Sequence, residues 1–368
     1  MLRKIFACLL VMAVLSGCSG QNPLAVFFKK EKERVRIGLS IPTTREMRWQ
    51  RDLHYLQEAA STADAELFTE ISENNSAVQE TQCDELLKKN INVLILAPHD
   101  ARAAAAIVEK AAAAGVKVIS YDRLVLGADV DLYISFDNIK VGELQAGYIL
   151  KKAPRGNYLV LSGALTDHNA KLFHDGALKI LGPAEDTGAI NIIADVPVED
   201  WDSDIAERIT EESLNKYNND IHAVIAPNDS TAGGVINALK KHHIAGLVPV
   251  SGQDADVEAV HRIMRGMQTM TVFKDSRNLA TAAIGAAMSM AIGEPPPSNS
   301  VMYNGKGQIP SMLLEPVVVD NSNIVQTLVQ TGYLSREQVY YDDSINSNSR
   351  GRGMTIKNVP GNTAGGDY

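Results

Sequence analysis

Several short apolar runs in this chain end in side chains suited to gripping a small polar molecule. Ile37–Ile41 is followed by Pro42-Thr43-Thr44-Arg45-Glu46-Met47-Arg48-Trp49, and Val116–Ser120 by Tyr121-Asp122-Arg123. Ala223–Ala226 runs into Pro227-Asn228-Asp229, Val248–Ser251 into Gly252-Gln253-Asp254-Ala255-Asp256, and Thr269–Phe273 into Lys274. Ionised Asp122, Asp229 and Asp254 accept hydrogen bonds, Arg48, Arg123 and Lys274 donate them, and Asn228 does both. A phosphate or carboxylate ligand calls for donors in excess, and a metal for clustered oxygen or nitrogen. A mixture suits a neutral molecule covered in hydroxyls, each of which donates and accepts. A sugar ring also has apolar C–H faces that an indole can cover. The chain's two tryptophans, Trp49 and Trp201, both lie beside polar runs.

Each of these residues has a plainer reading. Asp254 or Asp256 would serve as a helix N-cap, and Asn228-Asp229 as a capping turn. A lone tryptophan is commonly core, and Arg48 or the Asp122-Arg123 pair would make surface ion pairs worth little. The plain readings must hold at every position together to remove the site. Asp122 and Asp254 could also be the carboxylate pair of a glycosidase. The accompanying cations would keep both ionised, leaving no acid with a raised pKa. No Gly-x-Ser-x-Gly, Walker motif or zinc spacing occurs, and His242-His243 reads as a solvated pair. A binding protein without enzyme activity, cofactor or metal is therefore expected.

Strand carboxyl ends converge only if the strands run parallel in an open α/β sheet. From Val35 onward, short apolar runs alternate with helical spacing for most of the chain. Further strands are expected at Val93–Ala97, Leu132–Phe136, Tyr158–Leu161 and Ile190–Ala194. Helices are expected at Arg102–Ala114, closed by Gly115, and at Val141–Lys151, Asp204–Tyr217, Thr231–Lys241 and Ser276–Ile292. The strands exceed one comfortable sheet. The reading is α/β, with two doubly wound parallel-sheet lobes joined by a multi-crossing hinge. One lobe takes 35–140 plus 278–313 and the other 141–277 plus 314–341. Crossings are placed near Phe136–Glu143, Lys274–Asn278 and Leu313–Val319, an arrangement that closes over a cleft.

The net charge of −9 and pI near 5.4 argue against nucleic acid as a partner. The first residues, Met1-Leu2-Arg3-Lys4, are basic, and the apolar run Ile5–Leu15 is too short to span a bilayer. Leu15-Ser16-Gly17-Cys18 has the form of a lipobox. Residues 1–17 are then a signal peptide, Cys18 is lipidated, 18–34 is a tether, and the protein is exported and anchored in the cell envelope. Cys83 would be the one thiol left after Cys18, so no intramolecular disulfide is expected. The Ser-, Asn- and Gly-rich stretch 342–368 reads as a disordered tail.

Several motifs carry a family resemblance. They are Tyr121-Asp122-Arg123, Tyr133-Ile134-Ser135-Phe136-Asp137-Asn138, Asn169-Ala170-Lys171-Leu172-Phe173, Asn228-Asp229-Ser230-Thr231-Ala232-Gly233-Gly234, Ser251-Gly252-Gln253-Asp254-Ala255-Asp256 and Gln268-Thr269-Met270-Thr271-Val272-Phe273-Lys274. Over roughly residues 35 to 340 the chain resembles the periplasmic type I sugar-binding proteins of bacterial ABC importers, and among them the D-xylose binders. Multi-sugar-binding relatives share Ile41-Pro42-Thr43 and Thr271-Val272-Phe273-Lys274-Asp275. The resemblance implies a monomer that holds a monosaccharide, D-xylose first among them, between two lobes. Contacts would come from Arg48, Trp49, Asp122, Arg123, Asn169, Trp201, Asn228, Asp254 and Lys274. Delivery to an ABC permease is the implied role; the same closed form would also suit a histidine kinase or chemoreceptor. Met47 departs from the pattern, standing where the xylose binders carry glutamate, and Pro42-Thr43-Thr44 replaces an acidic pair. The lipobox departs from a freely diffusing protein.

Overall fold

The computed structural model describes residues 34–340. The expected signal peptide, Cys18, nearly all of the tether and the tail from 342 lie outside the described residues. Among those described, the strands in chain order are β1 (Arg36–Ile41), β2 (Glu66–Ile71), β3 (Val93–Leu96), β4 (Lys117–Tyr121), β5 (Leu132–Phe136) and β6 (Gly156–Ser162). They continue with β7 (Ile190–Pro197), β8 (Ala223–Ile225), β9 (Thr271–Phe273), β10 (Ser300–Tyr303), β11 (Gln308–Leu314) and β12 (Val317–Val319). The helices are α1 (Met47–Thr62), α2 (Ser76–Lys88), α3 (Ala105–Ala113), α4 (Asn138–Lys152), α5 (His168–Asp186), α6 (Ser203–Lys216), α7 (Asp229–Lys241), α8 (Val257–Met264), α9 (Ser276–Ala291) and α10 (Arg336–Tyr340).

The first sheet has the order β10-β11-β5-β4-β3-β1-β2, parallel except for β10. β3 and β5 are buried throughout, and β1 and β4 are buried beyond their first residue, so they read as continuous apolar runs. α1 and α9 cover one face through Leu56, Ala60, Leu279 and Ile284. α2 and α3 cover the other through Cys83, Leu86, Ile107 and Val108. The second sheet has the parallel core β7-β6-β8. Lone bridges Val224–Val250 and Gln253–Val272 carry it toward the antiparallel pair β9-β12. α4 and α5 pack on one face and α6 and α7 on the other. Val248–Ser251, expected as a strand, lies in the sheet plane with a single bridge to β8 and forms no ladder of its own.

The chain thus builds two doubly wound α/β lobes. It leaves the first sheet after β5, returns to it after β9, and crosses again between β11 and β12. α4 and α5 approach closely because Gly142 and Gly176 sit at the contact. A Cβ on Gly142 would stand 1.9 Å from the Phe173 carbonyl oxygen, and one on Gly176 2.1 Å from that of Ile139. This packing fixes the start of α5, which carries Asn169 and Phe173.

Candidate functional site

The carboxyl ends of β1, β4 and the strands of the second sheet face one another across a small cavity of about 30 Å³. All nine residues proposed from the sequence line it: Arg48, Trp49, Asp122, Arg123, Asn169, Trp201, Asn228, Asp254 and Lys274. Glu46, Asp167, Phe173 and Gln253 line it as well. Sequence reasoning missed these four. Glu46 and Gln253 stood inside the quoted strand-end runs. Phe173 lies one helical turn from Asn169, within a quoted motif. Asp167 had no signal except its position before a helix. Glu46 brings a carboxylate to the edge where Met47 had left the family pattern, while Met47 itself is largely exposed. Asp229 does not line the cavity. It is buried behind it, accepting from Gln268 Nε2 at 2.7 Å, Thr271 Oγ1 at 2.9 Å and the Asp256 N–H at 3.0 Å.

Asp122 follows the last residue of β4 with φ +59°, in the left-handed region. That turn is held by donors to its carbonyl: Tyr133 Oη at 3.0 Å, Ser135 Oγ at 2.7 Å and Asn169 Nδ2 at 3.0 Å. The Asp122 carboxylate pairs with Arg48 and Arg123 does not share it. Arg123 Nε instead sits 2.8 Å from Asp167, so the tripeptide is not a simple ion pair. Arg48 also holds Asp52, one turn along α1, at 3.2 Å. From the second lobe Lys274 Nζ lies 3.3 Å from Asp254 Oδ1 and 4.0 Å from Asp122, and Asp254 is 3.9 Å from Arg48. The walls therefore meet across the cleft, and the lobes are in a closed arrangement. Asn228 both caps α7, accepting from Thr231 N at 2.9 Å, and lines the cavity.

Trp49 is buried against the guanidinium groups of Arg48 and Arg123, 4.8 and 5.2 Å from their carbons. Trp201, at φ +59°, stacks edge-on with Phe173. Gly163 leaves room for its indole, since a Cβ there would fall 2.2 Å from the ring. Five buried polar atoms of cavity-lining residues have no hydrogen-bond partner: donors Trp201 Nε1 and Lys274 Nζ, and acceptors Glu46 Oε2, Gln253 Oε1 and Asp254 Oδ1. Left unmet, a buried polar group costs about 1–3 kcal/mol.

Burial pushes the Asp122 carboxyl up, but Arg48 and Lys274 outweigh it and hold the group below the usual carboxylate range. A permanently ionised Asp122 makes a poor general acid. Asp52, deeper in the lobe, is pushed by burial to about 6 despite Arg48. Among the described residues no group of side chains could hold a metal, and no helix is long and apolar enough to cross a membrane. Cys83 is buried and unpaired, its thiol pushed up to about 12 by burial.

Burial and then Asp256 raise Asp229 to about 8, against Arg262. An acid raised on folding binds more protons in the native state, so its contribution falls as pH rises from about 4 to about 8. His99 and His168, lowered by burial, act oppositely at lower pH, near the usual histidine range, whereas His174, raised by its bond to Asp195, acts in the same direction as Asp229. The melting temperature is expected to fall between pH 6.5 and 8, and Asp229→Asn is expected to make that slope shallower. A wild-type melting temperature constant over this range would refute the assignment.

Residues 37–295 match the periplasmic binding protein domain. The chain belongs to the periplasmic binding protein family. It is 39% identical over 307 residues to the D-xylose-binding periplasmic protein of Haemophilus influenzae, covering 83% of this chain and 92% of that one. It is also 39% identical over 301 residues to the D-xylose-binding periplasmic protein of Escherichia coli, covering 82% and 91%. A carbohydrate transporter solute-binding protein from Chloroflexus aurantiacus, solved in complex with D-glucose, superposes with a TM-score of 0.80 at 35% identity. That match covers 83% of this chain and 98% of the other.

Proposed function

We propose that this chain is the exported receptor of an ABC importer, and that it captures a monosaccharide, D-xylose foremost, between its lobes. The observation that carries this reading is the set of five buried atoms without a hydrogen-bond partner, two donors and three acceptors, beside two indoles; Lys274 Nζ and Asp254 Oδ1 among them face each other only as an ion pair at 3.3 Å. A polyol satisfies both kinds at once, and its C–H faces suit Trp49 and Trp201. The xylose-binding relatives favour a pentose. The lobes are taken as 35–140 plus 278–313 and 141–277 plus 314–341, opening about the three chain crossings. The lipobox supports lipidation at Cys18, which would tether the receptor beside its permease. Family membership favours binding over catalysis, as does the ionised state of Asp122.

Titration of the full chain in detergent with D-xylose, D-ribose, D-glucose and D-galactose tests the reading. Heat release and a change in tryptophan fluorescence are expected, strongest with D-xylose. No response to any of the four sugars would sink it.

A further inference from the structure

The lobes also meet outside the cavity. Arg51, on α1 three residues after Arg48, reaches the segment 254–256 of the other lobe. Its Nη2 donates to the Asp254 carbonyl at 3.2 Å and its Nη1 to the Ala255 carbonyl at 3.4 Å, and the guanidinium pairs with the Asp256 carboxylate. The Tyr333 ring lies 5.3 Å away and flanks it. The tripeptide it grips has unusual backbone: Asp254 has φ +98° and Ala255 φ +52°, where residues with a Cβ rarely settle. Within its own lobe the turn is held by the Ala255 N–H to Thr271 Oγ1 at 3.2 Å and the Asp256 N–H to Asp229 at 3.0 Å. Asp256 stands at the N-cap of α8, yet its side chain makes no capping bond and is engaged by Arg51 instead.

We infer that Arg51 is a positioning residue that clamps the Asp254 turn from behind when the lobes meet. It thereby presents the Asp254 carboxylate to the cavity and delays opening. This rests on the sugar-binding reading. The clamp spans the cleft and holds the cavity residue Asp254 by its backbone carbonyl, so its loss acts on release rather than on encounter. Because its bonds to two carbonyls need a fork of donors, lysine reproduces it only in part.

Stopped-flow tryptophan fluorescence of the full chain with D-xylose tests this. Arg51→Ala is expected to release sugar about tenfold to a hundredfold faster, with association changed by less than about twofold. Arg51→Lys should fall between, and Arg51→Ala with Asp256→Asn should be little worse than Arg51→Ala alone. With D-xylose bound, the amides of 254–256 should exchange hydrogen faster in Arg51→Ala than in wild type. Release from Arg51→Ala at the wild-type rate overturns the inference. If the wild type responds to no sugar, the sugar-binding reading fails and the clamp falls with it. Where the wild type does respond, equal exchange rates in the two sugar-bound proteins overturn the clamp alone.

Discussion

Asp254→Ala is expected to weaken sugar binding by about 3–5 kcal/mol, roughly a hundredfold to several thousandfold. Asp254 Oδ1 lies 3.3 Å from Lys274 and 3.9 Å from Arg48, and it has no hydrogen-bond partner of its own. Removing it takes away an acceptor for a sugar hydroxyl and leaves two buried cations with less compensation. Asp122 remains beside both, so the fold should survive. Calorimetric titration measures the loss, and thermal unfolding without sugar checks the fold. Wild-type affinity in this variant would show that the cavity is not the binding site.

Gly142→Ala should be among the most damaging single-methyl changes in the second lobe. The added Cβ would meet the Phe173 carbonyl oxygen at 1.9 Å, and backbone on both sides must yield. Overpacking of this kind costs about 1–3 kcal/mol and occasionally more. A drop of several degrees in melting temperature is expected, on the order of 2–4 °C per kcal/mol. Displacing α5 also moves Asn169, whose Nδ2 supports the Asp122 carbonyl at 3.0 Å. Weaker sugar binding should therefore accompany the lost stability. An unchanged melting temperature would mean that α4 and α5 separate without cost.

Strands buried on both faces were legible because continuous apolar runs have few other uses; β3, β4 and β5 were placed to within a residue or so. β2 was not, because Glu66–Ile71 is an edge strand, half-buried along its length and carrying two glutamates. α1 was hidden because its first turn, Met47-Arg48-Trp49-Gln50, gives Arg48 and Trp49 to the cavity and reads as a polar loop. Functional side chains there masked the helical period that would have announced the helix.

Composition and local pattern alone determined the α/β class and placed acceptors, donors and indoles at strand ends. Those are properties of single segments, and strand carboxyl ends converge in any parallel open sheet. Which partner each side chain takes was decided only by tertiary structure. Asp122 was adjacent to Arg123 in sequence but pairs with Arg48, 74 residues away. Asp229 looked equivalent to Asp254, yet it turns inward to hold Thr271 and Gln268. Pairing depends on where the closed lobes and left-handed turns aim each side chain, and sequence spacing carries no trace of that geometry.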